Sequence, residues 1–559
     1  MKIKKILFIL ILFTSQISFA QVENVPLNNP VFTFLKEMKV KRLIPYIYED
    51  IPNISRFQVK ELLMKIDQQK EKLSSVELEL LNWYKVEFYE ILDTSQTTYF
   101  WNPDRSFGGT FLDMFTTDNV KYLYAYQEKN ANLFFEGIGH YQYGQLFKPT
   151  TNNSHFIDGG FRVRGTVFEH LGYMASFIKG GVSGNSEVAE IIEPGLLYNF
   201  KWVENIENLG NYDVTNGYLK YHVEPAENMH ISLQLGREPL TVGYGYGGKL
   251  VLSSGTPPLD FLQFNFDYGI FHFSSIHAST VGIFSPNRDE NYTKFWAFNR
   301  LKFTFTNLFD FGIGQSVVYS GRGIELSYLT PVGYYTFLQH SLQDRDNVHL
   351  YFDIQTGFIN NLEFQATFFL DENILFELND LDSYTNKTAY QVGAYWYEAF
   401  TLSNLSLILE YTRIRPYVYS HFDIKNTFTS WETNLGHPLG PNADEIFTKI
   451  AYNFGPKLRM AVEYRHIRRG ENVYDDEGSL IKNVGGDVFL THGPNPENKT
   501  AIFLDGIRIN NDIVEIGLRL EPVRGFIFDV VYNYNIENNL TEEMKDYLSY
   551  GYIKFSLEL

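Results

Sequence analysis

Asn228-Met-His-Ile-Ser-Leu-Gln-Leu-Gly236 sets Ile231, Leu233 and Leu235 on one face and Ser232 and Gln234 on the other. Side chains of an extended chain point to alternate faces, so this pattern reads as a strand with one apolar and one polar side. The same alternation returns through Leu362, Phe364, Ala366, Phe368 and Leu370 against Glu363, Gln365 and Thr367. It recurs with Leu405, Leu407 and Leu409, with Leu458, Met460 and Val462, and with Ile553, Phe555, Leu557 and the last residue, Leu559. Counting such runs from about residue 107 gives roughly 16 to 20 strands, most about 10 residues long, as tilted membrane strands require. An antiparallel transmembrane β-barrel of about 18 strands is therefore expected.

The ends of the runs support this reading. Short turns, such as Asn453-Phe-Gly-Pro456 and Glu521-Pro-Val-Arg-Gly525, alternate with polar stretches near 181–215, 240–262, 320–348, 418–443 and 470–510. Short turns on one side and long loops on the other are the outer-membrane pattern. Some long loops are expected to fold into the lumen, since a barrel this wide would otherwise stand open. Phe, Trp and Tyr supply 17% of the chain, a density that suits interfacial girdles better than a secreted sandwich or propeller.

The N-terminus agrees on the compartment. Lys2, Lys4 and Lys5 precede an apolar run from Ile6 to Phe13, and Ser18-Phe19-Ala20 supplies small residues for cleavage after Ala20. The expected divisions are a signal peptide over 1–20, a periplasmic helical bundle over 21–100 and the barrel over 101–559. Within 28–92, Ser55-Arg-Phe-Gln58 and Ser74-Ser-Val-Glu77 are capping boxes, and Asn29-Pro30 opens a third helix. The barrel mouth is the expected partner for their apolar stripes.

The chemistry expected is that of binding. With no cysteine in the chain, neither disulfide staples nor thiolate metal sites can form. A net charge of −19 disfavours nucleic acid as a partner. Gly243-Tyr-Gly-Tyr-Gly247-Gly248 lacks the Lys-Ser/Thr that a phosphate loop needs and reads as a tight irregular loop. Thirteen histidines show no His-x-x-x-His spacing, and His140, His155, His170, His222, His230, His272 and His277 read as lumen or interface residues. Asp344-Arg-Asp-Asn347 reads as a turn held by Asp–Arg pairing or as part of a lumen network, because Arg345 interrupts a calcium-type run. No catalytic residue, cofactor or metal is expected. Sugar faces stack on aromatic rings while their hydroxyls meet polar side chains, so Tyr244, Tyr246, Trp396, Tyr397 and Trp431, read as loop aromatics, suit a glycan.

Two segments carry a family likeness. One runs from Gly236-Arg-Glu-Pro-Leu-Thr-Val-Gly through Tyr244-Gly-Tyr-Gly-Gly-Lys249 to Phe261. The other runs from Gln315-Ser-Val-Val-Tyr-Ser-Gly-Arg322 through Pro331 to Gln339-His-Ser-Leu-Gln-Asp-Arg-Asp-Asn347. Both resemble the capsule-assembly Wzi family of outer-membrane proteins, in its Bacteroidetes-type form. Leu35, Arg42-Leu43-Ile44-Pro45 and Ser55-Arg56 resemble its helical segment. Tyr244-Gly245-Tyr246-Gly247 stands where the family often has Trp-Gly-Pro-Gly, and Ser254-Gly255-Thr256 replaces an Asn-rich continuation. The resemblance implies a non-catalytic, lectin-like anchor for capsular or exopolysaccharide. A monomer embedded in outer-membrane lipid is expected, the alternative function being a porin or substrate channel. Expected sugar contacts are Tyr244, Tyr246, Arg322, Glu325, Arg345 and Asp346.

Overall fold

The computed structural model describes residues 21–89, 97–100, 107–128, 130–195, 200–202, 209–282, 287–306, 308–343, 345–371, 380, 382–431, 433–492 and 499–559. The expected signal peptide lies outside them. Its sheet begins with β1 (Ala131–Lys148), β2 (Asn152–Val167), β3 (Leu171–Gly184), β4 (Leu209–Ala226), β5 (Met229–Glu238) and β6 (Leu259–Tyr268). It continues with β7 (Phe271–Val281), β8 (Thr293–Phe305), β9 (Phe309–Ser320), β10 (Asn347–Thr356), β11 (Leu362–Asp371) and β12 (Thr388–Tyr397). The last six are β13 (Leu405–Ile414), β14 (Ala443–Gly455), β15 (Leu458–Glu471), β16 (Ile507–Val523), β17 (Phe526–Asn539) and β18 (Met544–Glu558).

These 18 strands pair antiparallel with their chain neighbours, and β18 closes on β1 with Tyr552 opposite Gly144 and Glu558 opposite Ile138. The seam ends on a reciprocal bond pair in which Gly137 and Leu559 exchange N–H and carbonyl. Closure removes the sheet edge that a hydrocarbon interior would not tolerate. Leu233, Leu235, Leu262, Phe364, Leu409, Met460 and Ile553 stand exposed on the outer wall, while Ser232, Gln234, Gln263, Glu363 and Glu410 are buried inside. At the short-turn end Phe168, Tyr268, Phe305, Phe358, Phe400 and Phe454 are exposed together, the pattern of an interfacial aromatic belt.

Three helices fill that end: α1 (Val31–Val40), α2 (Arg56–Asp67) and α3 (Ser75–Phe88). Their starts follow from the sequence. Asn29 Oδ1 accepts from the Val31 N–H at 2.9 Å. Gln58 Oε1 takes the Ser55 N–H, and Ser74 with Glu77 exchanges both bonds of a capping box. Leu35, Leu63 and Leu81 are fully buried, in one cluster with Tyr395, Tyr397, Ile408 and Phe447 of the inner wall. Each such leucine contributes on the order of 1.5–3 kcal/mol. The helices thus sit inside the barrel as a plug.

The plug lies against the inner faces of β4 to β14. Above it, the loops 239–258 and 415–442 pack Leu250, Leu252, Tyr419 and Phe428 onto inward-facing Trp296, Phe298, Tyr351 and Phe369. A further helix, α5 (Ser186–Ile192), packs Val188, Ala189 and Ile192 on Leu146, Phe156 and Tyr212 inside β1–β4. Lumen-facing residues of β15 such as Arg459, Glu463 and Arg465 are only half-buried, so this wall remains wet.

Two readings of the sequence need correction, and one loop takes a path that was left open. Residues Phe107–Thr116 form a helix, α4, where a two-residue period was read from about 107. Phe111 and Phe115 share one helical face, their rings 4.9 Å apart, and Phe115 packs on Phe526 of the outer wall. Trp396 and Tyr397 belong to the end of β12 rather than to a loop. The loop 321–346 lies outside the barrel, on the outward residues Ala297, Val317 and Tyr319. Asn299 and Gln315, also outward, donate to the carbonyls of Thr330 and Gly333.

Candidate functional site

The centre of the lumen is an ionic cluster between plug and wall. Glu363 projects inward from β11 because it alternates with Leu362 and Phe364. Its carboxylate meets the ammonium groups of Lys36 and Lys39 on α1 and accepts from the Tyr246 hydroxyl at 2.9 Å. Glu49, on the α1–α2 connection, pairs with the same lysines and accepts from Gln355 at 2.7 Å. A second cluster lies beside it. Asp50 pairs with Arg300 and Lys302, and Arg300 pairs in turn with Asp353 at 2.6 Å.

Charges taken out of water in this way are held by their partners. Burial pushes the Glu49 carboxyl up, but Lys36 and Lys39 outweigh that effect and hold it well below the usual carboxylate range. Burial likewise works against the Lys39 ammonium, and Glu363 and Glu49 overcome it and raise its pKa. A carboxyl depressed by folding stabilises fully above its unfolded pKa, about 4.3, and the contribution is lost as pH falls through the folded value. The plug is therefore expected to stay seated through mild acid and to loosen only below roughly pH 4. Hydrogen exchange in α1 across a pH series checks this; loss of protection already near neutrality would contradict it.

The glycine-rich loop forms the roof of this cluster. Gly243 sits at φ +92°, a conformation glycine adopts without strain. The Tyr246 and Gly247 N–H groups both donate to the Glu410 carboxylate, at 2.9 and 2.8 Å. A Cβ on Gly248 would come within 2.6 Å of the His437 ring. Tyr244, 2% exposed, lies under the Arg300 guanidinium at 5.3 Å. Both tyrosines thus face the plug, and Tyr246 also borders the open side of the lumen.

The other four residues lie on the outer side of the wall, so the fold does not bring the two groups together. Arg322 makes a two-pronged pair with Asp346, at 2.9 and 2.6 Å, and stacks over Tyr319. Tyr328 donates to the same carboxylate at 2.7 Å. Asp346 thus pairs across the loop with Arg322 rather than with its neighbour Arg345, which is exposed. Glu325 lies 3.6 Å from Arg322. The clasp holds a loop whose Leu326, Val332 and Phe337 are more than two-thirds exposed.

Between the plug and the wet wall runs a cavity of about 1050 Å³. Ser254 and Thr256 of the long loop line it, as do Lys249, Arg162, Lys449, Asn453 and Arg459 farther in. Trp83 and Arg524 lie at its short-turn end, where Arg524 donates to the Trp83 carbonyl at 2.7 Å. Sequence reasoning missed this lining. Its one signal was a charged residue at the inward position of an otherwise apolar strand, such as Arg459 between Leu458 and Met460.

Comparison with known proteins fixes the family. A family model for capsule assembly protein Wzi matches residues 143–529. The chain belongs to the Wzi capsule-assembly family. Like other Wzi proteins it is an outer-membrane β-barrel. Among solved structures it is similar to Escherichia coli Wzi, described as an outer-membrane protein involved in group 1 capsule assembly and a carbohydrate-binding β-barrel. Identity is 12% and the TM-score 0.53, over 96% of this chain and 99% of that one. OprD from Pseudomonas aeruginosa is more distant, at 10% identity and TM-score 0.41 over 76% and 95% of the two chains. OccAB2 from Acinetobacter baumannii stands at 9% and 0.43 over 76% and 98%. No curated protein matches the chain significantly by sequence.

Proposed function

We propose that this Wzi family member retains a surface polysaccharide at the outer membrane by non-catalytic, lectin-like contacts, as a monomer with its helical plug on the periplasmic side. The observation that carries the reading is the wet wall of the lumen. It offers guanidinium, ammonium, amide and hydroxyl groups beside the rings of Trp83 and Tyr246, a lining that suits sugar hydroxyls and the apolar faces of a pyranose. Family membership supports the same reading, since the solved E. coli protein of that name is described as carbohydrate-binding. Of the residues singled out from sequence, Tyr246, Glu325 and Arg345 keep surface that a glycan can touch, while Tyr244 and Asp346 act by holding their loops. Each contact contributes only about 0.5–1.5 kcal/mol, and a repeating polymer multiplies them along its length.

The test is a deletion strain assayed for cell-bound against released polysaccharide. Loss of the protein is expected to move polymer into the medium without reducing its total, and the wild-type gene restores attachment. Unchanged attachment, with normal polymer in both fractions, would sink the anchor reading. That residues of a long loop and of the short-turn end line one cavity favours a second reading, a substrate channel. A large, steady single-channel conductance from the intact protein would promote that reading over the anchor.

A further inference from the structure

Away from the central cluster, at the short-turn end, the β4–β5 hairpin brings together three groups that sequence spacing does not unite. His222 and Glu224 lie two residues apart on β4 and share the lumen-facing side. His230 lies on β5 beyond the turn at Glu227-Asn228. The ladder pairs Val223 with Ile231 and then slips, so that Ala226 meets Met229. The two imidazoles stack at 29°, with centroids 5.8 Å apart. One carboxylate oxygen, Glu224 Oε1, stands 3.4 Å from His222 Nε2 and 3.3 Å from His230 Nδ1. All three ligand atoms lie within 4.8 Å of one another.

We propose that His222, Glu224 and His230 form a binding site for a divalent first-row transition ion of the zinc type. Four ligands held tetrahedrally at zinc distances of about 2.0–2.1 Å stand about 3.3 Å apart, from the geometry of a tetrahedron. The two separations to Glu224 already have that length. Two imidazoles and one carboxylate form a donor set that zinc sites use, leaving one coordination position for water. Imidazole nitrogens select against calcium and magnesium, which take oxygen ligands. A second observation points the same way: His230 Nδ1 is buried and meets the Glu224 carboxylate as a 3.3 Å ion pair that falls short of good hydrogen-bond geometry.

The surroundings suit a small hydrated cation. Glu224 is 46% exposed at its side chain, which gives the ion a route in from the mouth. The site opens on a cavity of about 40 Å³ lined by the carboxylates of Asp50 and Asp267 and by His272, and also by the cations Lys220, Arg300 and Lys302, with room for about one water. Phe57 of α2 packs its ring on His222 with centroids 4.9 Å apart. Glu61, one turn further along the same helix, acts electrostatically on Glu224 and His230. An ion here ties the hairpin to the plug.

The experiment uses the full mature chain without a polyhistidine tag, in detergent, stripped of metal and titrated with zinc chloride in a chelator-competition assay. One equivalent is expected to bind. Cobalt(II) in its place is expected to show the intense visible bands of a four-coordinate ion. His222→Ala, His230→Ala and Glu224→Gln are each expected to weaken zinc at least about tenfold, with gel heat-modifiability confirming that the barrel still forms. A Tyr141→Phe control, on the outer wall of β1, is expected to bind normally. No stoichiometric uptake, or uptake unchanged in a His222→Ala/His230→Ala double variant, would mean that Glu224 only bridges two imidazoles. Displacement of zinc by equimolar calcium would overturn the assignment to a transition ion.

Discussion

Deletion of residues 21–89 is expected to raise the single-channel conductance of the barrel by roughly tenfold or more, because 18-stranded barrels without a plug leave an aqueous channel. The helices α1, α2 and α3 occupy the short-turn end of the lumen, and no strand depends on them for its ladder. Without them, water reaches the inner faces of β10–β14, now buried under Leu35, Leu63 and Leu81. The loops 239–258 and 415–442 still narrow the other end, so the expected channel is larger but partly restricted. Planar-bilayer recording of the intact and truncated proteins decides the matter, with gel heat-modifiability verifying the truncated barrel. Equal conductance would show that the loops alone set the passage.

The second expectation concerns one side chain. Glu363→Ala should loosen the plug by about 3–5 kcal/mol, the range for removing one partner of a buried ion pair. Glu363 is 2% exposed at its side chain and is the wall's anchor for Lys36, Lys39 and the Tyr246 hydroxyl. Its loss leaves two buried ammonium groups to share Glu49. Hydrogen exchange in α1 should accelerate, and trypsin should gain access to Lys41 and Arg42, while the barrel ladder stays protected. Glu363→Gln keeps one acceptor and should give an intermediate effect. Protection in α1 equal to wild type in the alanine variant would contradict this account.

How much of this was legible in the sequence varied with the range of the forces involved. The alternation in 228–236 and 362–370 gave the strands and their inward faces, because a ladder in lipid enforces a strict period of two. The capping boxes at Ser55 and Ser74 placed two helix starts, because capping is local. The loop boundaries near 240, 320, 418 and 470 came within a few residues. The path of each loop was not legible. Apolar residues in 239–258 pack inward on Trp296, whereas those in 321–346 pack outward on Tyr319, and the residue types are alike. The helix over 107–116 was hidden by its aromatics, which suit a strand as well as an interfacial helix. His222 and His230 fail every linear spacing test because a hairpin, not a helix, joins them.

The seam between β18 and β1 governs the order in which this molecule can be assembled. The plug precedes β1 in the chain, yet its anchors lie on strands in the middle, Glu363 on β11 above all. The wall that encloses it cannot shut until β18 has been made, since Leu559 just beyond it bonds to Gly137. A cylinder that curled shut around an empty interior would admit the helices only through its end, past the turns that rim it. Seating the helices on the open sheet first avoids that barrier. Joining the two extremes of the sheet is the most non-local step, and such contacts form slowly. The delay gives the N-terminal segment time to find its place before the door closes.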